Sequence, residues 1–479
     1  MDRAAKERRS PLDRGIFAIL AAASLFHLYT AGFGVYAGTV QRSIHWMFMS
    51  VPLFLLYGVQ GERRLGGRRP TLLDGLWALA SLASGLYILF TWEERALAIG
   101  GGGLVEHFSG VIMILVSLEA ARRTVGIFLP ATAFAFLLYA YFGPYMPGVL
   151  IHKGYSIERL VEHLYVVPEG IYGIPMAISS TFIAAFVLFG AFLNSFGAGS
   201  FFIDISYSLA GRFRGGPAKT AVVASALMGT ISGSAVANVV GTGTFTIPLM
   251  IKTGYRRVVA GAVEACASTG GMFTPPVMGA GAFIMAEYLE VEYGSVALAA
   301  ALPAFLFYLC LMLIVDAEAA KSGLRGFPAS ELPPLGKTFL GGGHHLVALV
   351  AIIVFILQGY SPMKTAFWAI LLVVASAVLR DPGRLRVPVF IEALEEGALQ
   401  VVPIAAACAS AGIIVGVVSL TGLGDTLSTV LLKLSGGYKL VALVVTMLAA
   451  LVLGCGVPPS AVYVIMASLT VPTLVGFGL

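Results

Sequence analysis

Between Lys219 and Lys252 the chain has no charged or histidine side chain, yet its middle is dense in side-chain oxygens and helix breakers. Ser232, Ser234, Asn238, Thr242 and Thr244 carry hydroxyl and amide oxygens. Gly229, Gly233, Gly241 and Gly243 let the backbone leave helical geometry or approach another segment closely. Such a set suits dipolar coordination of an ion or polar solute, with unwound carbonyls adding to the side chains. Ser268-Thr269-Gly270-Gly271 and Thr274-Pro275-Pro276 offer the same materials a little further on. A third set lies in the charge-free stretch Leu440 to Leu479, around Gly454, Gly456, Pro458 and Ser460. Small and hydroxylated residues also serve helix packing in membranes, and a lone Ser or Gly reads that way. Asn238 with repeated Gly-Thr steps in one uncharged stretch serves packing poorly.

The elements follow from length. As one helix, 219–252 would span ~48 Å at ~1.5 Å per residue, against a hydrocarbon core of ~30 Å. That is too long for one crossing and too short for two with a loop. Backbone broken at membrane depth is tolerated only where protein buries it or a watery cavity meets it, and such segments point to the ion and solute site of a transporter. Composition agrees, with 58% hydrophobic and 11% charged residues and a mean hydropathy of +0.90. The formal charge of +5 sits in short clusters between apolar runs, as orientation signals do, which excludes a nucleic-acid face. Cys266, Cys310, Cys408 and Cys455 fall inside apolar runs without metal or redox spacing, and no histidine pair has ligand spacing. No nucleophile or acid–base pair marks an enzyme. Two broken hairpins favour alternating access over a channel's continuous pore.

Apolar runs near 16–35, 43–60, 72–91 and 104–121 form a four-span module over 1–124. Basic residues precede the first run and follow the second and fourth (Arg63, Arg64, Arg68, Arg69; Arg122, Arg123). That alternation puts the N-terminus in the cytoplasm of a multi-pass protein of the cell's inner membrane. Residues 125–479 form the larger unit. In it, 155–173 and 200–213 read as interfacial or connecting helices, with Phe202, Ile205, Leu209 and Phe213 on one face of the second. Residues 317–340 read as a polar cytoplasmic loop. Glu264, two turns beyond Arg257, is an intramembrane carboxylate with a coupling role or one paired to Arg256 or Arg257.

A constant offset of 225 residues lays Gly197 on Gly422, Gly199 on Gly424, Gly211 on Gly436 and Gly229 on Gly454. The order of span, amphipathic helix and broken hairpin recurs with it, giving a first repeat over about 155–290 and a second over about 388–479. Five apolar runs separate the two hairpins, and an odd number places their mouths on opposite faces. The fold class expected is an all-α polytopic membrane protein with inverted repeats and re-entrant hairpins, its site near the midplane.

Ile231-Ser-Gly-Ser-Ala-Val-Ala-Asn-Val-Val240, Gly243-Thr-Phe-Thr-Ile-Pro-Leu-Met250, Glu264-Ala-Cys-Ala-Ser-Thr-Gly-Gly271, Thr274-Pro-Pro-Val-Met-Gly279 and Ala282-Phe-Ile-Met-Ala-Glu287 occur in this order. Together they resemble the signature of TRAP transporter permeases of the TAXI type, with small and large membrane subunits fused. The resemblance implies elevator-type, sodium-driven uptake of a carboxylate-bearing organic solute delivered by an extracytoplasmic solute-binding protein, with no cofactor beyond the coupling ion. The alternative is a carboxylate/sodium symporter working without a binding protein. Sodium and substrate would then meet Ser232, Gly233, Ser234, Asn238, Thr242, Thr244, Thr269, Gly270, Gly271, Thr274, Pro275, Gly456, Pro458 and Ser460. The family's second Pro-Pro motif would fall near position 500, past Leu479, so the final spans are expected from outside these residues. Inverted repeats predict that single cysteines at Lys252 and Lys439, in a background without native cysteines, label from opposite membrane faces. Labelling of both from one face would remove the inversion.

Overall fold

Long apolar runs punctuated by glycine and proline become helices that stop where those residues stand. The computed structural model describes residues 10–64, 69–97, 102–380, 387–436, 438–454 and 458–476. Among them the structure is all-α, apart from an isolated bridge between Tyr57 and Arg63. Eight described helices are long and apolar enough to cross a membrane, and the pair Ala329–Gly342 and His345–Leu357, bent by 65°, offers a ninth. The chain divides into two compact units, one of Met1–Thr181 with Ala398–Leu479 and one of Phe182–Gly397.

In the first unit, α1 (Pro11–Phe33), α2 (Gly38–Leu56), α3 (Leu72–Leu97) and α4 (Leu104–Thr124) are helices where the four apolar runs stand, and all but α2 are long and apolar enough to cross a membrane. Helix α1 starts on a capping box in which Ser10 and Asp13 satisfy each other's backbone donors. Polar contacts bind this module together. Asp74 is fully buried and pairs with Arg64 and with Arg123 (2.6 Å), while Arg123 also holds Glu119 (2.7 Å). His45 sits between His27 Nε2 and the Ser179 hydroxyl, each at 2.9 Å, and Gln41 donates to Ser180 O (3.1 Å). After α5 (Phe128–Tyr141), α6 (Ile157–Val161) runs into a π turn over Glu162–Val166, burying Leu160, Val161, Leu164 and Tyr165 and exposing Glu158 and Arg159. The helix expected over 155–173 thus covers only 157–166, with turns and bends following to Gly173.

Helix α7 (Ile174–Ser195) leads into the second unit, where α8 (Ala198–Ala210) follows Gly197, whose φ of 104° ends α7. Its buried stripe is Ala198, Phe201, Phe202, Ile205 and Ala210, whereas Leu209 and Phe213 are exposed. The sequence-expected face was therefore offset: Phe201 turns inward and Leu209 outward. Then come α9 (Gly216–Ser232), α10 (Ala235–Lys252), α11 (Arg257–Gly270), α12 (Ala280–Tyr288) and α13 (Tyr293–Lys321). Small residues Ala218, Ala221, Ala260, Ala267 and Ala319, with Val222, Met250 and Val315, form the core shared by α9, α10, α11 and α13. The polar loop expected over 317–340 begins only after Lys321, and contains a 3₁₀ turn and α14 (Leu335–Gly342). Helix α13 extends because its terminal carboxylates have partners: Asp316 pairs with Arg214 and Lys219 (2.6 Å), and Glu318 with Arg256 (3.2 Å). Helices α15 (His345–Leu357) and α16 (Pro362–Arg380) pack on each other.

Helix α17 (Val387–Thr421) returns the chain to the first unit. There Gly422 (φ 68°), α18 (Leu423–Leu434), α19 (Lys439–Gly454) and α20 (Pro459–Gly476) repeat the order of left-handed glycine, short helix and two-helix hairpin seen after α7. Removing the shared counter-charge leaves Arg123 with Glu119 alone and Arg64 with Glu62 at 4.0 Å. Asp74→Ala should therefore cost about 3–5 kcal/mol, read as a lowered thermal unfolding midpoint in detergent. An unchanged midpoint would show that Arg64 and Arg123 do not depend on it.

Candidate functional site

The uncharged stretch breaks at two residues. Gly233 closes α9 with φ 56°, a left-handed conformation that side chains oppose, and its N–H reaches Gly229 O (3.4 Å). Ser234 is extended and caps α10 by accepting from Ala237 N (3.3 Å). The expected hairpin is therefore α9, a Gly-Ser tip and α10. The negative end of one helix dipole and the positive end of the other meet at that tip.

The chain between α11 and α12 leaves helical geometry and touches the tip. It makes a 3₁₀ turn at Gly271–Phe273, extends at Thr274 and closes with Gly279 N donating to Met272 O (2.7 Å). Val277 N donates to Thr230 O (3.3 Å), at the end of α9. A Cβ on Gly279 would stand 2.9 Å from Gly233 O, and one on Gly233 would collide with Met278 O. Tyr293 of α13 donates from its hydroxyl to Pro276 O (3.1 Å). Two broken elements thus abut, each supplying backbone partners to the other.

Below the tip the hairpin arms are cross-linked. Asn238 is buried and its amide donates to Ser225 O across the arms (2.7 Å). The Thr242 hydroxyl touches Asn238 O (2.8 Å), Ser225 Oγ (3.1 Å) and Asn238 Oδ1 (3.4 Å), and also reaches Glu264. Glu264 is fully buried and further contacted by the hydroxyls of Ser225 (3.0 Å), Ser268 (3.3 Å) and Thr246. The expected alternative of an ion pair with Arg256 or Arg257 does not form: Arg256 holds Glu318, and Arg257 is exposed.

The predicted residues therefore separate. Ser232, Gly233 and Ser234 form the half-buried tip, and Thr274 and Pro275 belong to the segment that crosses it. The Thr274 hydroxyl turns back to Gly270 O (2.6 Å). Asn238 and Thr242 lie in the cross-link. Thr244 is exposed, as is Thr269, whose hydroxyl bonds Ala265 O (2.8 Å). Gly270 and Gly271 are close-packing positions: a Cβ on Gly270 would stand 2.6 Å from Phe307, and one on Gly271 2.6 Å from Gly229 Cα. Pro458 and Ser460 open α20 in the other unit, with Pro458 O accepting from Val462 N (2.9 Å). Gly456 lies outside the described residues. Ser225 and Thr246 were missed, while Ser268, read as part of the second broken stretch, turns to Glu264 instead. Their signal is the i, i+4 stripe Asn238-Thr242-Thr246 facing Glu264-Ser268, which a search for broken backbone passes over.

The close approach of Gly229 and Gly271 gives a direct test. Gly271→Ala should destabilise by about 1–3 kcal/mol, because its Cβ would also press Asn238 Nδ2 at 3.2 Å. Gly261→Ala, in the preceding helix α11 with nothing within 4 Å, should be neutral or stabilising in the same thermal unfolding assay. Equal effects would remove the packing account.

Residues 112–479 match the family described as "Tripartite ATP-independent periplasmic transporter, DctM component". The chain is 31% identical over 150 residues to the C4-dicarboxylate TRAP transporter large permease protein DctM of Pseudomonas aeruginosa, covering 31% of this chain and 34% of that one. It is 27% identical over 241 residues to the protein of that name in Vibrio cholerae, covering 49% and 51%. The sialic acid TRAP transporter permease protein SiaT of Haemophilus influenzae is 28% identical over 188 residues, covering 38% and 30%. The chain thus spans about a third to a half of the length of these relatives. With more than half of its residues inside the family match, and a broken-helix site within them, the chain belongs to the DctM component family of tripartite ATP-independent periplasmic transporters.

Proposed function

We propose that this chain is the permease of a secondary active uptake system for a carboxylate-bearing organic solute. The solute arrives on an extracytoplasmic binding protein, and sodium drives its entry across the inner membrane. The observation that carries this reading is the Gly233-Ser234 tip abutting the unwound segment Gly271–Gly279, inside a charge-free membrane hairpin. Helix ends and carbonyls gathered at such a junction offer partial charges of both signs, which suits joint binding of a cation and an anionic solute. The family's tripartite description supports the binding protein, and relatives named for C4-dicarboxylates and sialic acid support a carboxylate. The TAXI type rests on the motif resemblance. Fusion with a small subunit is supported by α1–α4, most of which precedes the matched residues 112–479. The N-terminus lies in the cytoplasm, the hairpins belong to inverted repeats, and the transport domain moves as an elevator against a scaffold.

The test uses membrane vesicles from cells producing the chain, with labelled C4-dicarboxylate and labelled sialic acid as probes. Uptake should require both an inward sodium gradient and added binding protein. Uptake that needs sodium alone would assign a symporter without a binding protein, and no uptake of either probe under any gradient would overturn the reading.

A further inference from the structure

We propose that one end of the second unit, where α8 and α14 meet the turns that follow α10 and α13, is a docking surface for anionic phospholipid headgroups. It depends on neither the solute nor the coupling ion.

Contacts between its segments build the surface. Just past α8, Gly211 O accepts from Phe327 N (2.9 Å), and Tyr207 packs edge-on against Phe327 with ring centroids 5.0 Å apart. The Ser208 hydroxyl donates to Pro333 O (2.8 Å). A Cβ on Gly326 would collide with Arg212 O, and one on Gly342, at the end of α14, with the Phe201 ring of α8. The turn after α10 joins through Arg256, which holds Glu318 (3.2 Å), and through Leu324, which lies 3.0 Å from a Cβ on Gly254.

Charge at this end is unbalanced. Asp316 is taken up by Arg214 and Lys219 (2.6 Å), and Glu318 by Arg256. Asp204 and Glu331 remain, both exposed, beside Arg212, Lys252, Arg257, Lys321, Arg325 and Lys337. All of these cations are exposed, and none has a carboxylate partner among the described residues. Unmatched cations gathered at one end of a membrane protein attract an anionic layer.

Apolar side chains stand among them. Leu209 and Phe213 lie outward at 45% and 47% exposure, and on α14 Leu335, Phe339 and Leu340 lie outward at 47%, 52% and 75%. Helix α14 is bent by 65° from α15, which turns it toward the plane of a bilayer that α15 enters. A soluble polyanion would neutralise the cations and leave Phe213, Phe339 and Leu340 in water. A phospholipid answers both features: its phosphate meets the guanidinium and ammonium groups while its acyl chain lies along the apolar side chains. A zwitterionic lipid brings its own ammonium and leaves the excess positive charge uncompensated. An anionic headgroup is therefore the occupant that fits.

The test uses the detergent-purified full chain on resin, in non-ionic micelles carrying labelled phosphatidylglycerol and phosphatidylcholine with identical acyl chains. It needs no uptake, so it fails or succeeds independently of the transport reading. Wild-type protein should retain phosphatidylglycerol about tenfold over phosphatidylcholine. Arg212→Gln, Arg325→Gln and Lys337→Gln combined should lower that preference by about threefold or more, at an unchanged elution volume in size-exclusion chromatography. Exchanging the same residues for the other cation (Arg212→Lys, Arg325→Lys, Lys337→Arg) should preserve it. So should Lys364→Gln, which removes an exposed cation from the opposite end of α16 to Arg380. Salt decides the matter if the Gln variant fails to fold: at about 1 M, where screening acts within ~3 Å, the wild-type preference should collapse. Equal retention of both lipids by the wild type would overturn the surface. So would an undiminished preference in the Gln variant, an equal loss in Lys364→Gln, or a preference indifferent to salt. Displacement of phosphatidylglycerol by millimolar inorganic phosphate at constant ionic strength would assign these cations to a soluble anion and overturn the lipid.

Discussion

A backbone that leaves helical geometry inside a membrane must find hydrogen-bond partners in its own protein, because hydrocarbon offers none. The second unit is arranged around that requirement. The break at Gly233-Ser234 is closed by Gly229 O, by the Ser234 cap and by the crossing segment, which lends Val277 N to Thr230 O. The crossing segment is in turn closed by Met272 O and held by the Tyr293 hydroxyl. Such mutual support needs close approach, so glycine stands on both sides of each contact, at 229 and 271 and again at 233 and 279. The alanine-rich core of α9, α10, α11 and α13 has the same cause, since helices carrying these broken ends must pack backbone to backbone.

Two buried carboxylates show how differently the units treat charge. Asp74 is wrapped by two guanidiniums and by the Thr71 amide and hydroxyl (each 2.7 Å), a closed arrangement with nothing to add. Glu264 meets hydroxyls alone. Hydroxyls reorient and guanidiniums do not, so the first cluster fixes a structure while the second can exchange partners. The strongly charged ends of the hairpin are spent elsewhere, on Asp316 and Glu318 at the foot of α13.

Much of this was legible in the sequence because breaks and ends are local. Gly233 and Ser234 announce a C-cap and an N-cap, and the charge-free length on either side announces a hairpin. The four helices of 1–124 stand where the apolar runs do, and the glycine frame from Gly197 to Gly422 marks left-handed caps before two short helices in the structure. What could not be read depends on neighbours. The inward turn of Phe201 and outward turn of Leu209 are set by how α8 lies on α9 and α14. The extension of α13 through Asp316 and Glu318 required knowing that Arg214, Lys219 and Arg256 would be there to meet them. Among site residues, the oxygens of the tip were visible by composition. The cage at Glu264 was not, because Ser225 lies 39 positions away from it in sequence and only the packing of three helices brings the two to 3.0 Å.

The position of Asn238 joins these two levels of the hairpin. One amide group donates to Ser225 O in the opposite arm, while its backbone carbonyl accepts from Thr242, whose hydroxyl also meets Glu264. Asn238 lies one helical turn beyond Ser234, the residue that caps α10 at the tip. The hydroxyl that meets Glu264 is therefore bonded to the residue that ties the arms together, a single turn from the abutting backbones of Gly233 and Gly279. Thr242, Asn238 and the capping Ser234 lie on one face of α10. Oxygen-bearing residues at this spacing thus do what aliphatic packing cannot. They hold two helices together through hydrogen bonds that meet at one buried carboxylate.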